Sequence, residues 1–298
     1  MLNSKVIINP SSGGGRGALY ARRIAEALHI KNENVVFSAD IADAEKKANH
    51  FAVIGVNPVI FCGGDGMLGA VLNGVLSVSS NVAIGVIPAG MSDVAAGSLG
   101  IPRRFEDAIR NIKSGKTAKV DAGLVVHPEG RRYFYSMADF GFTADIVRTA
   151  EQNLLIKKCL GKKAHYAAGF YHLLKRKKFF DITCGDHTAR SFQTIFMNGL
   201  LWGGNFRWAD DTSQKDGLGN LLVFKKMNVF KLTRIFINLA KGKEIKSIER
   251  FRTKTAFLRS EAPVPWHTDG EFMGFLKKAE IKVVPGAAKF ICDPASVI

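Results

Sequence analysis

Four short apolar segments, KVIIN, NVVFS, PVIFC and VAIGVIP, recur within the first 118 residues. They alternate with stretches of helical character: ALYARRIAEALHI, DAEKKANHF, MLGAVLNGVL and FEDAIRNIKSG. This alternation constrains the fold more than any other feature. Strands that alternate with helices form a parallel sheet with helices on its faces. The carboxyl ends of such strands then meet the amino ends of the following helices along one edge, where open α/β sheets bind ligands.

After about residue 118 the texture changes. RRYFYSMADF, FDITC, SFQTIFMNGL, NLLVFKK, TKTAFLRS and AEIKVVPG are rich in β-branched and aromatic residues and are separated by Gly, Asp and Asn, as in an antiparallel sheet. SGKTAKVDAG is the boundary candidate, giving an α/β domain over residues 1–118 and a β-rich domain over 119–298. There is no internal repeat or low-complexity tract.

Three loops at strand ends carry glycine. NPSSGGGRG (Asn9 to Gly17) contains GxGxxA from Gly13 to Ala18, with Asp40 at a distance suited to a ribose-binding acid, so a dinucleotide site and a plain surface turn both stand as readings. No GK[ST] follows, which excludes a Walker-type loop. GGDG (Gly63 to Gly66) sets Asp65 among glycines ahead of Leu68, Val71, Leu72 and Val75, whose spacing predicts a helix packed on the sheet. A phosphate cradle with a metal-directing or base-orienting aspartate needs this arrangement, and Asp65 could alternatively cap the following helix. IPAGMSDVAAGSLGIP (Ile87 to Pro102) repeats the design: a turn with Pro88 and Gly90, then a short helix that Ser92 or Asp93 could cap, closed by Gly100 and Pro102. The three loops together make one crevice.

At these residues the chain resembles the diacylglycerol kinase-like lipid kinases, which include bacterial diacylglycerol kinases and the sphingosine and ceramide kinases. The likeness spans almost the whole chain. It rests on NPSSGG, GGDG with VLNG, PAG followed by LGIP, KDGL at Lys215 to Leu218, and DGE at Asp269 to Glu271. GGDG alone is shared with NAD kinases and phosphofructokinases, and the late KDGL and DGE narrow the choice. The resemblance implies the two-domain α/β fold of NAD kinases and diacylglycerol kinases: an N-terminal nucleotide-binding domain, a C-terminal β-rich sandwich domain, and a site in the cleft between them. It implies ATP and Mg²⁺ as cofactors. Asn9, Pro10, Ser11, Ser12, Gly13, Ser38, Gly63, Gly64, Asp65, Gly66, Met67, Leu68, Gly69, Gly90 and Met91 would line the nucleotide site. Glu271 would be the general base toward a lipid hydroxyl, with Asp65 near the phosphates and Mg²⁺. Asp216, with Ser213 and the Leu218 carbonyl, would hold a structural Mg²⁺. DGE also reads as a type I′ hairpin turn on Asp269 and Gly270, and SQKDGLG as an ordinary turn.

The chain departs from the family pattern at Met67, at Gly69 and Ala70, where an Asn-Glu or His-Glu pair is usual, at Met91, and at Asp93, where an Asn is expected. A carboxylate beside a polyphosphate repels it unless paired. These departures motivate a second reading, a catalytically weakened lipid- or nucleotide-binding relative. A third is an NAD kinase-like enzyme.

Composition narrows the partners. The net charge of +16 points to an anionic partner. LLIKKCLGKKAHYAAGFYHLLKRKKFF (Leu154 to Phe180) places Tyr166, Phe170, Leu173 and Leu174 on one helical face among eight lysines and arginines. FKLTRIFINLAKGKEIKSIERFRTK does the same with Leu232, Ile235, Phe236 and Leu239. Such helices suit packing on the second domain and also an anionic membrane surface. No nucleic-acid-binding signature is present, no apolar run reaches the ~18 residues of a membrane span, and no leader pattern opens the chain. Cys62, Cys159, Cys184 and Cys292 lack ligand spacing and read as free thiols. The expectation is a cytoplasmic protein that associates peripherally with membranes. Its oligomeric state, a homodimer included, stays open.

Overall fold

The computed structural model describes residues 4–90, 93–152, 178–202, 206–207, 211–225, 234 and 248–297. Met91 and the greater part of both basic amphipathic segments lie outside these residues.

The first part folds as β1 (Lys5–Ile8), α1 (Ser12–Leu28), β2 (Val35–Phe37), α2 (Ile41–Val53), β3 (Val59–Gly63), α3 (Asp65–Leu76), β4 (Ala83–Pro88), α4 (Val94–Ser98) and α5 (Phe105–Ser114). The strands pair in parallel in the order β2-β1-β3-β4. Every residue of β3 and β4 is buried, as expected of strands covered on both faces. Helix α3 is buried from Met67 to Leu76 because it lies between the sheet and α2, and its Leu68, Val71, Leu72 and Val75 are core residues. Burying these four side chains stabilises the fold by on the order of 6–12 kcal/mol before conformational entropy is subtracted.

The rest is β-rich: β5 (Thr117–His127), β6 (Gly130–Phe134), β7 (Met137–Gly141), α6 (Phe142–Gln152), β8 (Phe180–Cys184), β9 (His187–Ser191), β10 (Gln193–Met197), β11 (Leu201–Trp202), β12 (Phe206–Arg207), β13 (Gly219–Phe224), β14 (Glu249–Thr253), β15 (Thr255–Thr268) and β16 (Glu271–Ile291). The long β15–β16 ribbon serves two layers. Near Phe257 it pairs with β8, and near His267 it pairs with β7, with a register shift between Arg259 and Val264 where it changes partner. One apolar core gathers Val125, Phe134, Phe140, Phe196, Leu221, Leu258, Trp266 and Ile281 from these strands.

The chain then returns to the first part. Lys289 and Phe290 of β16 pair in parallel with Ala83 and Ile84 of β4, and Ala288 to Ile291 pair with Thr117 to Val120 of β5. One sheet path therefore runs from β14 to β2, and residue 118 falls inside β5.

Two local readings differ from the sequence. RRYFYSMADF, quoted as one β-rich segment, is divided between β6 and β7, and at the break the Asp269 carboxylate accepts the N–H groups of Tyr135, Ser136 and Met137. ERFRT, read as the end of a basic amphipathic segment, is strand β14, antiparallel to β13 with Asn220 opposite Arg252.

Candidate active site

The loop after β1 is shaped by its own side chains. Asn9 Oδ1 accepts hydrogen bonds from the N–H of Ser11 at 3.0 Å and from its hydroxyl at 2.7 Å, and the Asn9 N–H donates to the Cys62 carbonyl at 3.1 Å. Gly13, Gly14 and Gly15 follow with φ of 59°, 74° and 95°, a left-handed run that L side chains avoid. A Cβ at Gly14 or Gly15 would meet nothing within 4 Å, so the requirement there is conformational rather than spatial. This leaves a turn without side chains ahead of the regular part of α1, as a cradle for a bulky anion requires.

The loops after β3 and β4 touch each other. A Cβ on Gly90 would fall 2.6 Å from the Gly64 Cα, so the two backbones meet with no room for a side chain. Asp65 joins them: the N–H groups of Val94 and Ala95 donate to its Oδ2 and Oδ1 at 3.2 and 3.0 Å. Asp65 thus caps a helix, but it caps α4, the helix of the next loop, and not α3, which it opens. Asp93 has φ of 45° and is 7% exposed, and its Oδ1 accepts the Gly90 N–H at 3.0 Å. The carboxylate that would repel a polyphosphate is therefore folded back onto its own loop.

Glu271 arrives from the second part. Asp269 and Gly270, with φ of 51° and 91°, form the two-residue connection between β15 and β16, with Thr268 opposite Glu271, as a type I′ hairpin requires. The turn is anchored: the N–H groups of Tyr135, Ser136 and Met137 donate to the Asp269 carboxylate at 2.7 to 2.9 Å. Burial raises this carboxyl above its ordinary range and nearby Asp65 adds to the rise, while the three N–H groups oppose it. So held, the hairpin sets the Glu271 carboxylate on Gly66. A Cβ at Gly66 would lie 2.4 Å from Glu271 Oε1. The acid from the end of the chain and the glycine loop from its start are in contact.

Most of the residues singled out by sequence meet here. Asn9 to Gly13, Gly63, Gly64, Asp65, Gly66, Gly90 and Glu271 lie on these touching loops, and Ser38 follows β2 with its hydroxyl on the Ile8 carbonyl. Met67 and Leu68, at 1% and 2% exposed, are core side chains on the face of α3 that packs on the sheet, and Met67 backs the loops from beneath, its Sδ accepting the Ser38 hydroxyl at 3.9 Å. Gly69 is buried, and a Cβ there would meet nothing within 4 Å, so its missing side chain leaves open space one turn along α3 from Asp65 and Gly66.

Sequence reasoning assigned no role to several residues that shape the site. Asn73, within the quoted VLNG, takes the Tyr133 N–H at 2.8 Å and donates to the Tyr133 carbonyl at 2.9 Å, tying α3 to β6. Asp121 accepts the N–H groups of Gly217 and Gly286 at 2.7 and 2.8 Å. Its place in the boundary segment SGKTAKVDAG carries no local sign of these two bonds.

Two of the three donors expected for a structural Mg²⁺ are engaged by the chain itself. Asp216 Oδ1 accepts the Leu218 N–H at 2.9 Å and Oδ2 is held by the Arg252 guanidinium. The Ser213 hydroxyl accepts the Lys215 N–H at 3.3 Å. Among the described residues no group of three or more His, Cys, Asp or Glu is placed to hold a metal ion.

The family model described as the diacylglycerol kinase catalytic domain matches residues 3–125, and that of the YegS C-terminal NAD kinase beta sandwich-like domain matches residues 137–292. The chain belongs to the diacylglycerol kinase-like family. It is similar to the diacylglycerol kinase of Bacillus subtilis (strain 168), at 26% identity over 292 residues covering 93% of this chain and 92% of the relative. It is also similar to the diacylglycerol kinase of Staphylococcus epidermidis (strain ATCC 12228 / FDA PCI 1200), at 27% identity over 285 residues covering 92% and 87%. A crystal structure of a diacylglycerol kinase from Bacillus anthracis str. Sterne matches with a TM-score of 0.77 at 20% identity, covering 99% of this chain and 98% of that one. That likeness establishes the fold: an α/β domain followed by a β-sandwich domain. Among the described residues no helix is long and apolar enough to cross a membrane.

Proposed function

We propose that this family member is an ATP-dependent lipid kinase, which transfers the γ-phosphate of MgATP to a hydroxyl of a lipid such as diacylglycerol or a sphingoid base. The observation that carries the reading is the contact of the Glu271 carboxylate with Gly66 of the GGDG loop. A general base must lie within hydrogen-bond reach of the hydroxyl it deprotonates, and that hydroxyl must lie beside the phosphates.

The left-handed glycine run after β1 fits a polyphosphate, since it offers backbone without side chains, and the Gly64 and Gly90 backbones meet beside it. MgATP, when bound, supplies a phosphoryl group whose charge the metal partly neutralises. Glu271 would take the proton of the lipid hydroxyl, leaving that hydroxyl's oxygen as the acceptor of the phosphoryl group, with ADP as the leaving group. Asp65 acts by position, holding the amino end of α4 against the second loop. Asp93 Oδ1 is held by the Gly90 N–H, which fixes the carboxylate on its own loop. The net charge of +16 favours an anionic membrane surface, on the cytoplasmic side, as the place where the lipid is met.

The test is phosphate transfer from labelled MgATP to diacylglycerol, monoacylglycerol, sphingosine, ceramide and polyprenol in mixed micelles, with NAD as a soluble control. A labelled lipid is expected. Labelled NAD with no labelled lipid contradicts the reading.

A further inference from the structure

The family resemblance implies a magnesium ion on the loop that carries KDGL, yet the described residues hold that loop by other means. Strand β14 pairs with β13 so that Arg252 lies opposite Asn220 and Arg250 opposite Leu222. Alternate residues share a face, so both guanidinium groups project the same way while Phe251 between them packs on the sandwich core. Arg250 pairs with Asp211 at the start of the loop, and Arg252 pairs with Asp216 near its end. Beneath, Asp121 takes the Gly217 N–H. To the side, the Lys215 ammonium donates to the Pro294 and Val297 carbonyls at 3.0 and 2.7 Å. The loop is fixed at both ends and at its turn by groups the chain itself supplies.

Magnesium demands near-octahedral oxygen ligands at about 2.0–2.1 Å. An ion at that distance from Asp216 Oδ2 would press on a guanidinium already bonded to the same oxygen, two cations on one site. Arg252 also offers what the ion would have offered, a fixed positive charge with directional bonds to a carboxylate. We propose that Arg252, backed by Arg250, replaces the structural cation, so that the 211–218 loop of this chain needs no metal. The magnesium that accompanies ATP is a separate ion, and this loop is metal-free whether or not the protein is a kinase.

The test is thermal unfolding of the full-length protein without nucleotide, in EDTA and in millimolar Mg²⁺. The expected Tm is the same in both to within about 1 °C, whereas a structural ion present at about a hundred times its Kd raises Tm by roughly 5–10 °C. A Mg²⁺-dependent rise that disappears in Asp216→Asn overturns the proposal. A rise that persists in Asp216→Asn comes from another site and leaves this loop metal-free, as proposed. The double variant Arg250→Gln/Arg252→Gln is expected to lower Tm in EDTA by about 2–4 °C. An unchanged Tm in that variant also overturns the clamp.

Discussion

Replacing Gly66 by alanine separates catalysis from stability at a single carbon atom. The added Cβ would fall 2.4 Å from Glu271 Oε1, and ordinary contact begins at 3.4 Å, so the carboxylate must retreat by 3.4 − 2.4 = 1.0 Å. The next neighbour, Ile41 Cδ1, would be 3.6 Å away and need not move. Gly66 lies in the first turn of α3 and is not among the positive-φ residues, so alanine suits its backbone and favours the helix by roughly 0.5–1 kcal/mol. Since the atom that gives way is the end of a flexible side chain, the fold should be unharmed and Tm unchanged or a few degrees higher. Displacing a catalytic group by about 1 Å costs roughly 10²-fold in rate. The assay is kcat for lipid phosphorylation beside a melting curve and calorimetric ATP binding. Near-wild-type kcat refutes the placement of Glu271 at the reacting centre. A loss of rate matched by a collapse of Tm refutes the claim that the side chain, not the backbone, absorbs the clash.

Other consequences follow from the same geometry. Asp65→Ala leaves the first N–H groups of α4 without their acceptor and should cost about 1–2 kcal/mol, read as a lowered urea midpoint; an unchanged midpoint would mean the two bonds contribute nothing to stability. The Cys62 thiol is pushed up to about 12, by burial first and then by Asp93, so it stays protonated at pH 8 and Cys62, read by peptide mapping, should resist iodoacetamide there in the native protein. Because the shift is upward, reactivity should appear only as pH nears 12 or the chain unfolds, and rapid labelling of Cys62 at pH 8 would contradict that burial.

How much of this was legible in the sequence depends on whether a signal is local. The β/α alternation placed β1 to β4, and the Leu68, Val71, Leu72, Val75 spacing placed α3, because periodic burial is written into neighbouring residues. The two positive-φ residues of the β15–β16 turn were legible as Asp-Gly. What escaped was long-range pairing. The cap that Asp65 makes across 30 residues to Ala95, and the contact of Asp269 with a segment more than 130 residues away, have no local signature. Met67 and Leu68 adjoin the glycine loop in sequence but turn into the core, since a helix beginning at Asp65 points successive side chains in different directions. Arg252 was read as part of a basic helical face. Only the β13–β14 register, which no sequence period revealed, aims it at Asp216.

The central claim is that Glu271 and the GGDG loop form one phosphoryl-transfer centre. It is tested most directly by Glu271→Gln, measured for kcat with the lipid acceptor and for MgATP affinity by calorimetry. The account predicts a fall in kcat of roughly 10²–10⁴-fold with affinity for MgATP largely retained. Turnover equal to that of the wild type would contradict it.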